Sequence, residues 1–156
     1  MRYRILIALA STVTLFSQVA GACSCLFASE DLQTNVREGY INHSTVVLVE
    51  ATSIKESRRL QWRPLQFVPI QEVRWKVLRS WKGGRHQGDV LISVTMTECC
   101  ACGVHVEKGE KRILYLQTRE EFSVSTCTIG DFFKDRLNEQ MRVLEGMAKG
   151  QLLAPT

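Results

Sequence analysis

The chemistry available to this 156-residue chain lies mainly in its six cysteines. They fall in three groups: Cys23-Ser24-Cys25, the run Cys99-Cys100-Ala101-Cys102, and a single Cys127. Thiols so placed can pair as disulfides, hold a soft metal or act as nucleophiles, and the redox compartment decides among these fates. A zinc reading would draw on Cys99, Cys100, Cys102 and His105. That spacing is crowded for tetrahedral ligation and lacks paired Cys-x-x-Cys knuckles, so no intrinsic metal site is expected. His43, His86 and His105 fall on separate expected elements, none beside a convincing Ser or Asp. No triad, phosphate loop or carboxylate pair stands out, and neither enzymatic activity nor a cofactor is expected. A second cluster, Arg58, Arg59, Trp62 and Arg63, is basic and aromatic. It offers an accessory contact loop for a protease, a polyanion or a lipid headgroup, against the simpler reading of a solvated hairpin tip.

The compartment is read from the N-terminus. Arg2 and Arg4 make a positive n-region, Ile5 to Phe16 an apolar h-region, and Ala20-Gly21-Ala22 an A-x-A cleavage site. The apolar stretch, about a dozen residues, is short of the roughly 20 that span a bilayer. Residues 1–22 are therefore expected to leave as a signal peptide. Removing 22 of 156 residues leaves 134, and losing Arg2 and Arg4 lowers the net charge from +4 to +2. So small an excess does not argue for a nucleic-acid partner. All six cysteines remain in a chain bound for an oxidising compartment, secreted or, in a bacterium, periplasmic or in the cell envelope. No further segment reads as a transmembrane helix. A competing reading makes Cys23 the acylated first residue of a lipoprotein, although Ala20 stands where such sites usually carry Leu.

Charged residues make up 23% and apolar residues 45%, which excludes a disordered chain and allows one domain with a real core. Ser29 to Ile41 reads as a short helix capped by Ser29. Val46-Val47-Leu48-Val49 reads as a buried strand, and Arg58 to Pro64 as an exposed hairpin loop. From Phe67 to Arg79 the pattern alternates, with Val73, Trp75 and Val77 on one face and Glu72, Arg74 and Lys76 on the other. Lys82-Gly83-Gly84 breaks that strand. Val90 to Thr97, Val104 to Val106, Arg112 to Thr118 and Ser123 to Thr126 read as further strands, the last two flanking a charged turn at Arg119-Glu120-Glu121. From Asp131 the period becomes helical, with Phe133, Leu137, Met141, Leu144 and Ala148 on one face, Asp131 as N-cap and Gly150 at C′. Residues 151–156 are expected to be a loose tail. Five or so short strands with a terminal helix suggest a small closed barrel such as an OB-fold.

Five short elements, in order, resemble the netrin-like (NTR) domain family. They are Cys23-Ser24-Cys25, Lys82-Gly83, Cys102-Gly103, Gly109-Glu110 and Thr126-Cys127. The form most similar is the N-terminal domain of the tissue inhibitors of metalloproteinases, and the resemblance covers nearly all of residues 23–150. It implies a mainly β, disulfide-stapled, five-stranded OB barrel with a short N-terminal helix and a C-terminal amphipathic helix. It also implies the pairings Cys23–Cys102 and Cys25–Cys127. On the chain-entropy model, closing loops of about 80 and 100 residues stabilises by up to roughly 4–5 kcal/mol each, without simple addition. Cys99 and Cys100 have no counterpart in the family; a vicinal disulfide, a bond to another chain, or competition with Cys102 for Cys23 are open to them.

The resemblance implies a monomeric inhibitor whose partner is a zinc metalloendopeptidase. The Cys23 α-amine and carbonyl would chelate the protease's zinc and displace its water, with Ser24 toward the specificity pocket and Cys25, Ala101 and Cys102 touching the target. A free α-amine has a pKa near 7.7–8, so a useful fraction is neutral at physiological pH. Against this, Leu26-Phe27 replaces the family's proline-containing segment, its third disulfide has no counterpart, and no cysteine-rich second domain follows. The alternative is a non-inhibitory extracellular or periplasmic NTR/OB-fold binding module, lipid-anchored at Cys23 if that residue is acylated. Asn42-His43-Ser44 is a glycosylation sequon in a eukaryotic source.

Overall fold

A computed structural model describes residues 30–62, 65–97, 102–117, 122–125 and 127–150. The signal-peptide and tail expectations, and the Arg119-Glu120-Glu121 turn, lie outside these residues. The elements are α1 (Leu32–Asn42), β1 (Thr45–Trp62), β2 (Leu65–Lys82), β3 (Val90–Met96), β4 (Lys111–Leu116), β5 (Phe122–Ser123), α2 (Ile129–Phe132), a 3-10 turn (Lys134–Arg136) and α3 (Leu137–Ala148). The strands form one mixed sheet in the order β4-β1-β2-β3-β5. All neighbours are antiparallel except β3 and β5.

The sheet is mainly what alternation foretold, but it does not close into a barrel. β4 and β5 stand at its two edges. β5 is two residues long, pairs with Ser93 and Val94 of β3, and gives way to a turn in which Thr128 N–H donates to the Ser125 carbonyl. Among the described residues no backbone ladder joins β5 to β4. Side chains join the two edges instead. Leu114 and Leu116 of β4, Val124 beyond β5, and Val104 and Val106 share one core with Val47, Val49, Val73, Trp75 and Val77. The other face of β1, β2 and β4 buries Val46, Trp81 and Ile113 against Leu32 and Val36 of α1 and Val143, Leu144 and Met147 of α3. Burial on both faces explains why Val46-Val47-Leu48-Val49 is apolar without interruption.

Several boundaries move for local reasons. α1 is capped by Asp31 rather than Ser29, since its carboxylate accepts from the Thr34 N–H at 2.7 Å and the Thr34 hydroxyl at 2.9 Å. Arg58 to Trp62 is strand rather than loop, in register from Arg58 opposite Pro69 to Trp62 opposite Leu65. Val104 to Val106 is not strand and joins no ladder among the described residues. Asp131 lies inside α2, and α3 starts at Leu137 after the 3-10 turn. Its most buried face is Gln140, Val143, Leu144 and Met147, rotated from the expected stripe, with Leu137 and Met141 only partly buried. Gly150 does follow the helix with a φ of 72°.

Two outcomes follow from these packings. The Thr34 hydrogen bonds hold the exposed Asp31 carboxyl below its ordinary pKa. The cap's contribution is thus full above the ordinary aspartate range and lost as pH falls through the lowered folded value. Asp31→Ala is expected to lower the melting temperature at about pH 7, with the gap to wild type narrowing toward about pH 3 in circular-dichroism melts. Tyr115 is different: its hydroxyl is buried without a hydrogen-bond partner among the described residues, and burial pushes its pKa up. Tyr115→Phe is expected to leave urea stability unchanged or raise it by up to about 1 kcal/mol, because an unpaired buried group is removed.

Candidate functional site

The residues around Cys102 are held by side chains where a backbone ladder is missing. Beyond β3, Thr95 Oγ1 accepts from the Val104 N–H at 3.0 Å. Gln71 Oε1 accepts from the Val106 N–H at 2.9 Å, and Gln71 Nε2 lies 3.2 Å from His105 Nδ1. With its oxygen committed to Val106, Gln71 presents its amide N–H to His105 and selects the tautomer in which Nδ1 accepts. Gly103 rests on the end of β3 so closely that a Cβ would overlap the Met96 carbonyl, so only glycine follows Cys102 here. Cys102 itself has a φ of 53°, left-handed for a residue with a side chain. Such a conformation costs about 1–3 kcal/mol and persists where its surroundings enforce it.

The segment around Cys127 is fixed to the opposite edge of the sheet. Gly130 of α2 meets the Ile113 carbonyl of β4 at a distance that a Cβ would not allow. Asp131 accepts from the Thr128 hydroxyl at 2.7 Å and is ion-paired with Arg112 of β4. Arg112 is the centre of this arrangement, its side chain 1% exposed. Its guanidinium also donates to Glu110 at 2.8 Å and to the His105 carbonyl at 3.4 Å, and lies 6.0 Å from the Trp75 ring centre. Glu110 in turn accepts from the Glu107 N–H at 3.1 Å, closing the turn before β4. One cation thus ties the Cys102 segment, through His105, to the Cys127 segment, through Asp131.

Cys102 and Cys127 are both disulfide-bonded. Cys23, Ser24, Cys25, Cys99, Cys100 and Ala101 lie outside the described residues, and with them the chelating terminus, most of the expected target contact and at least one cysteine of each expected pairing. The zinc reading lies largely outside as well, and no group of three metal-binding side chains occurs among the described residues. The three histidines are separate: His43 Nδ1 lies 2.8 Å from the Gly39 carbonyl at the end of α1, and His86 donates its N–H to Asp89 in the β2–β3 loop. Arg58 and Arg59 are exposed on β1, at the end of the sheet where β3 runs out toward the Cys102 segment, with Arg58 opposite Pro69, whose carbonyl accepts from the Thr97 N–H, while Arg63 is outside the described residues. Asn42, of the sequon, is exposed at the last position of α1. Lys82 donates to the carbonyls of Tyr40 and Ile41, at 2.7 and 3.1 Å, and so holds that end of α1.

Sequence reasoning missed Arg112 and Gln71. A signal for both exists in the alternation: Arg112 shares its strand face with Leu114 and Leu116, and Gln71 shares its face with Val73, Trp75 and Val77. A polar residue on an otherwise apolar face needs a buried partner. No protein-family model and no curated protein matches this chain.

The Arg112 pair gives a direct expectation. Asp131→Ala strands a buried cation and should cost about 3–5 kcal/mol in urea unfolding. The double change Arg112→Met with Asp131→Leu should recover a large part of that loss, because no uncompensated charge remains.

Proposed function

We propose that the mature chain, beginning at Cys23, is a secreted inhibitor of zinc metalloendopeptidases with the OB-type fold of the NTR and metalloproteinase-inhibitor families. The observation that carries this reading is the state of Cys102 and Cys127. Both are disulfide-bonded, on two segments tied to one buried arginine. These are the two positions that the resemblance assigns as anchors for Cys23 and Cys25. β3 and β5 run parallel as neighbours, so the chain leaves both at the same end of the sheet on its way to Cys102 and Cys127. The strand order supports the fold: β4 and β5 are consecutive in the chain and stand at opposite edges around one core, as in a five-stranded barrel open at a single seam. The left-handed backbone at Cys102 is a further support, since enforced strain of this kind collects at functional sites.

In this mechanism the protein supplies no metal and performs no reaction. The terminus, pinned by Cys23–Cys102 and Cys25–Cys127, presents the neutral α-amine and the carbonyl of Cys23 to the open coordination position of the target's zinc. Ser24 enters the pocket beside the metal, and Ala101 and Cys102 flank it. The stapling matters because a free chain end would lose most of the binding energy to its own ordering.

The test is to compare a zinc endopeptidase's inhibition by the mature chain and by a version with one alanine placed before Cys23. Moving the amine off the chelate is expected to weaken inhibition about a hundredfold or more. Equal potency, or no inhibition by either, would remove the chelation mechanism and favour the binding module. Intact-mass analysis of the native N-terminus is the companion measurement: an added acyl group at Cys23 would exclude the free amine.

A further inference from the structure

Among the described residues the longest element is the β1–β2 hairpin, and its far end, from Leu60 round to Phe67, leaves large apolar side chains outside the core. β3 pairs with β2 as far as Ile70 and Thr97 still donates its N–H to the Pro69 carbonyl, so from Arg59, opposite Val68, to Trp62 the hairpin continues as two strands alone. At 3.3 Å per residue this is a projection of roughly 13 Å. Its register sorts the side chains. Leu60 is opposite Phe67, and Leu65 lies two residues before Phe67, which puts these three side chains on one face, with Arg58 and Pro69 next on the same face. Leu60, Leu65 and Phe67 are 38%, 69% and 66% exposed, so three large apolar side chains stand in water together.

The charge of this stretch is one-sided. Between Glu56 and Glu72 the sequence holds Arg58, Arg59 and Arg63 and no acidic residue. Arg58 and Arg59 are exposed, and neither meets a carboxylate among the described residues. An exposed apolar end on a narrow projection, collared by arginines, matches a surface that is anionic outside and apolar a few ångströms deeper. A polyanionic glycan would use the arginines but leave Leu65 and Phe67 wet, and a protein partner would need no projection of apolar residues beyond the sheet.

We propose that the end of the β1–β2 hairpin docks on anionic phospholipid bilayers, Leu60, Leu65 and Phe67 entering the interface while Arg58 and Arg59 pair with headgroup phosphates. This proposal does not depend on the inhibitory reading.

The test uses protein purified from a secretory host, with its N-terminus checked by mass so that neither signal peptide nor acyl chain contributes. Co-sedimentation is measured with phosphatidylcholine vesicles, with and without phosphatidylserine. Salt-sensitive binding to the anionic vesicles only is expected. Leu65→Ser with Phe67→Ser should weaken partition at least about tenfold. Arg58→Gln with Arg59→Gln should weaken it about twenty-five-fold, from roughly fivefold per arginine. Both pairs of substitutions are at exposed positions, and unchanged circular dichroism would show that the fold survives. Absence of vesicle binding, or binding unaffected by the serine pair, would overturn the proposal. So would retention on heparin that survives the serine pair without vesicle binding, which would make the partner a polyanion.

Discussion

A guanidinium with almost no exposure, Arg112, is the constraint on which the rest of this structure turns. Burying a cation costs several kcal/mol unless it is matched, and the match here is drawn from three directions: Asp131 after the sheet, Glu110 in the turn before β4, and the His105 carbonyl after β3. None of these partners belongs to a strand. The demand for a counter-charge therefore does what a ladder would otherwise do. It fixes two irregular segments against the sheet at edges that, among the described residues, no backbone ladder joins. A hydrophobic residue at this position would pack as well and hold neither segment in place.

The same logic runs through Gln71 and Thr95. Each sits on the inward face of its strand, is almost fully buried, and spends its side chain on the backbone of residues 104–106. Val104 and Val106 can then fill the core without becoming a sixth strand. Polar side chains inside the sheet are the means by which a curled, incomplete set of strands shares one interior. Their cost is an exacting geometry, visible where Gly103 and Gly130 leave no room for a Cβ. The opposite face needs no such devices, because α1 and α3 cover it with apolar contacts.

This division explains what could be read in the sequence. The alternation of Val73, Trp75 and Val77 with Arg74 and Lys76 located β2 and its buried face, because a half-buried strand writes its environment residue by residue. The double burial of Val46 to Val49 was legible for the same reason. Asp131 was misread as an N-cap because an acid before a helical pattern looks alike whether it serves the helix or a distant arginine. Val104 to Val106 carries strand residues, but its partners are side chains far along the chain, and local patterning does not reveal those. The barrel expectation failed at one seam, where a two-residue β5 turns away before meeting β4. Of the candidate site, only Cys102 and Cys127 fall among the described residues, and what marks them structurally, a left-handed φ and attachment to Arg112, has no one-dimensional signature.

The hairpin shows the limit of reading composition as mere exposure. Its arginines suggested a solvated loop, yet the ladder persists through Trp62, and persistence has a consequence that a loop would not. A loop scatters its side chains, whereas a two-stranded ribbon sorts them by parity, so Leu60, Leu65 and Phe67 are gathered on one face. An isolated ribbon is marginal in water, and here it is extended from a sheet whose root is fixed by Val68, Ile70 and Val73. The core thus stabilises an end whose Leu60, Leu65 and Phe67 side chains add little to it. A protein that holds three large apolar side chains in water, on a projection free of acidic residues, carries a cost that folding alone does not explain, and a surface that removes those side chains from water would offset it.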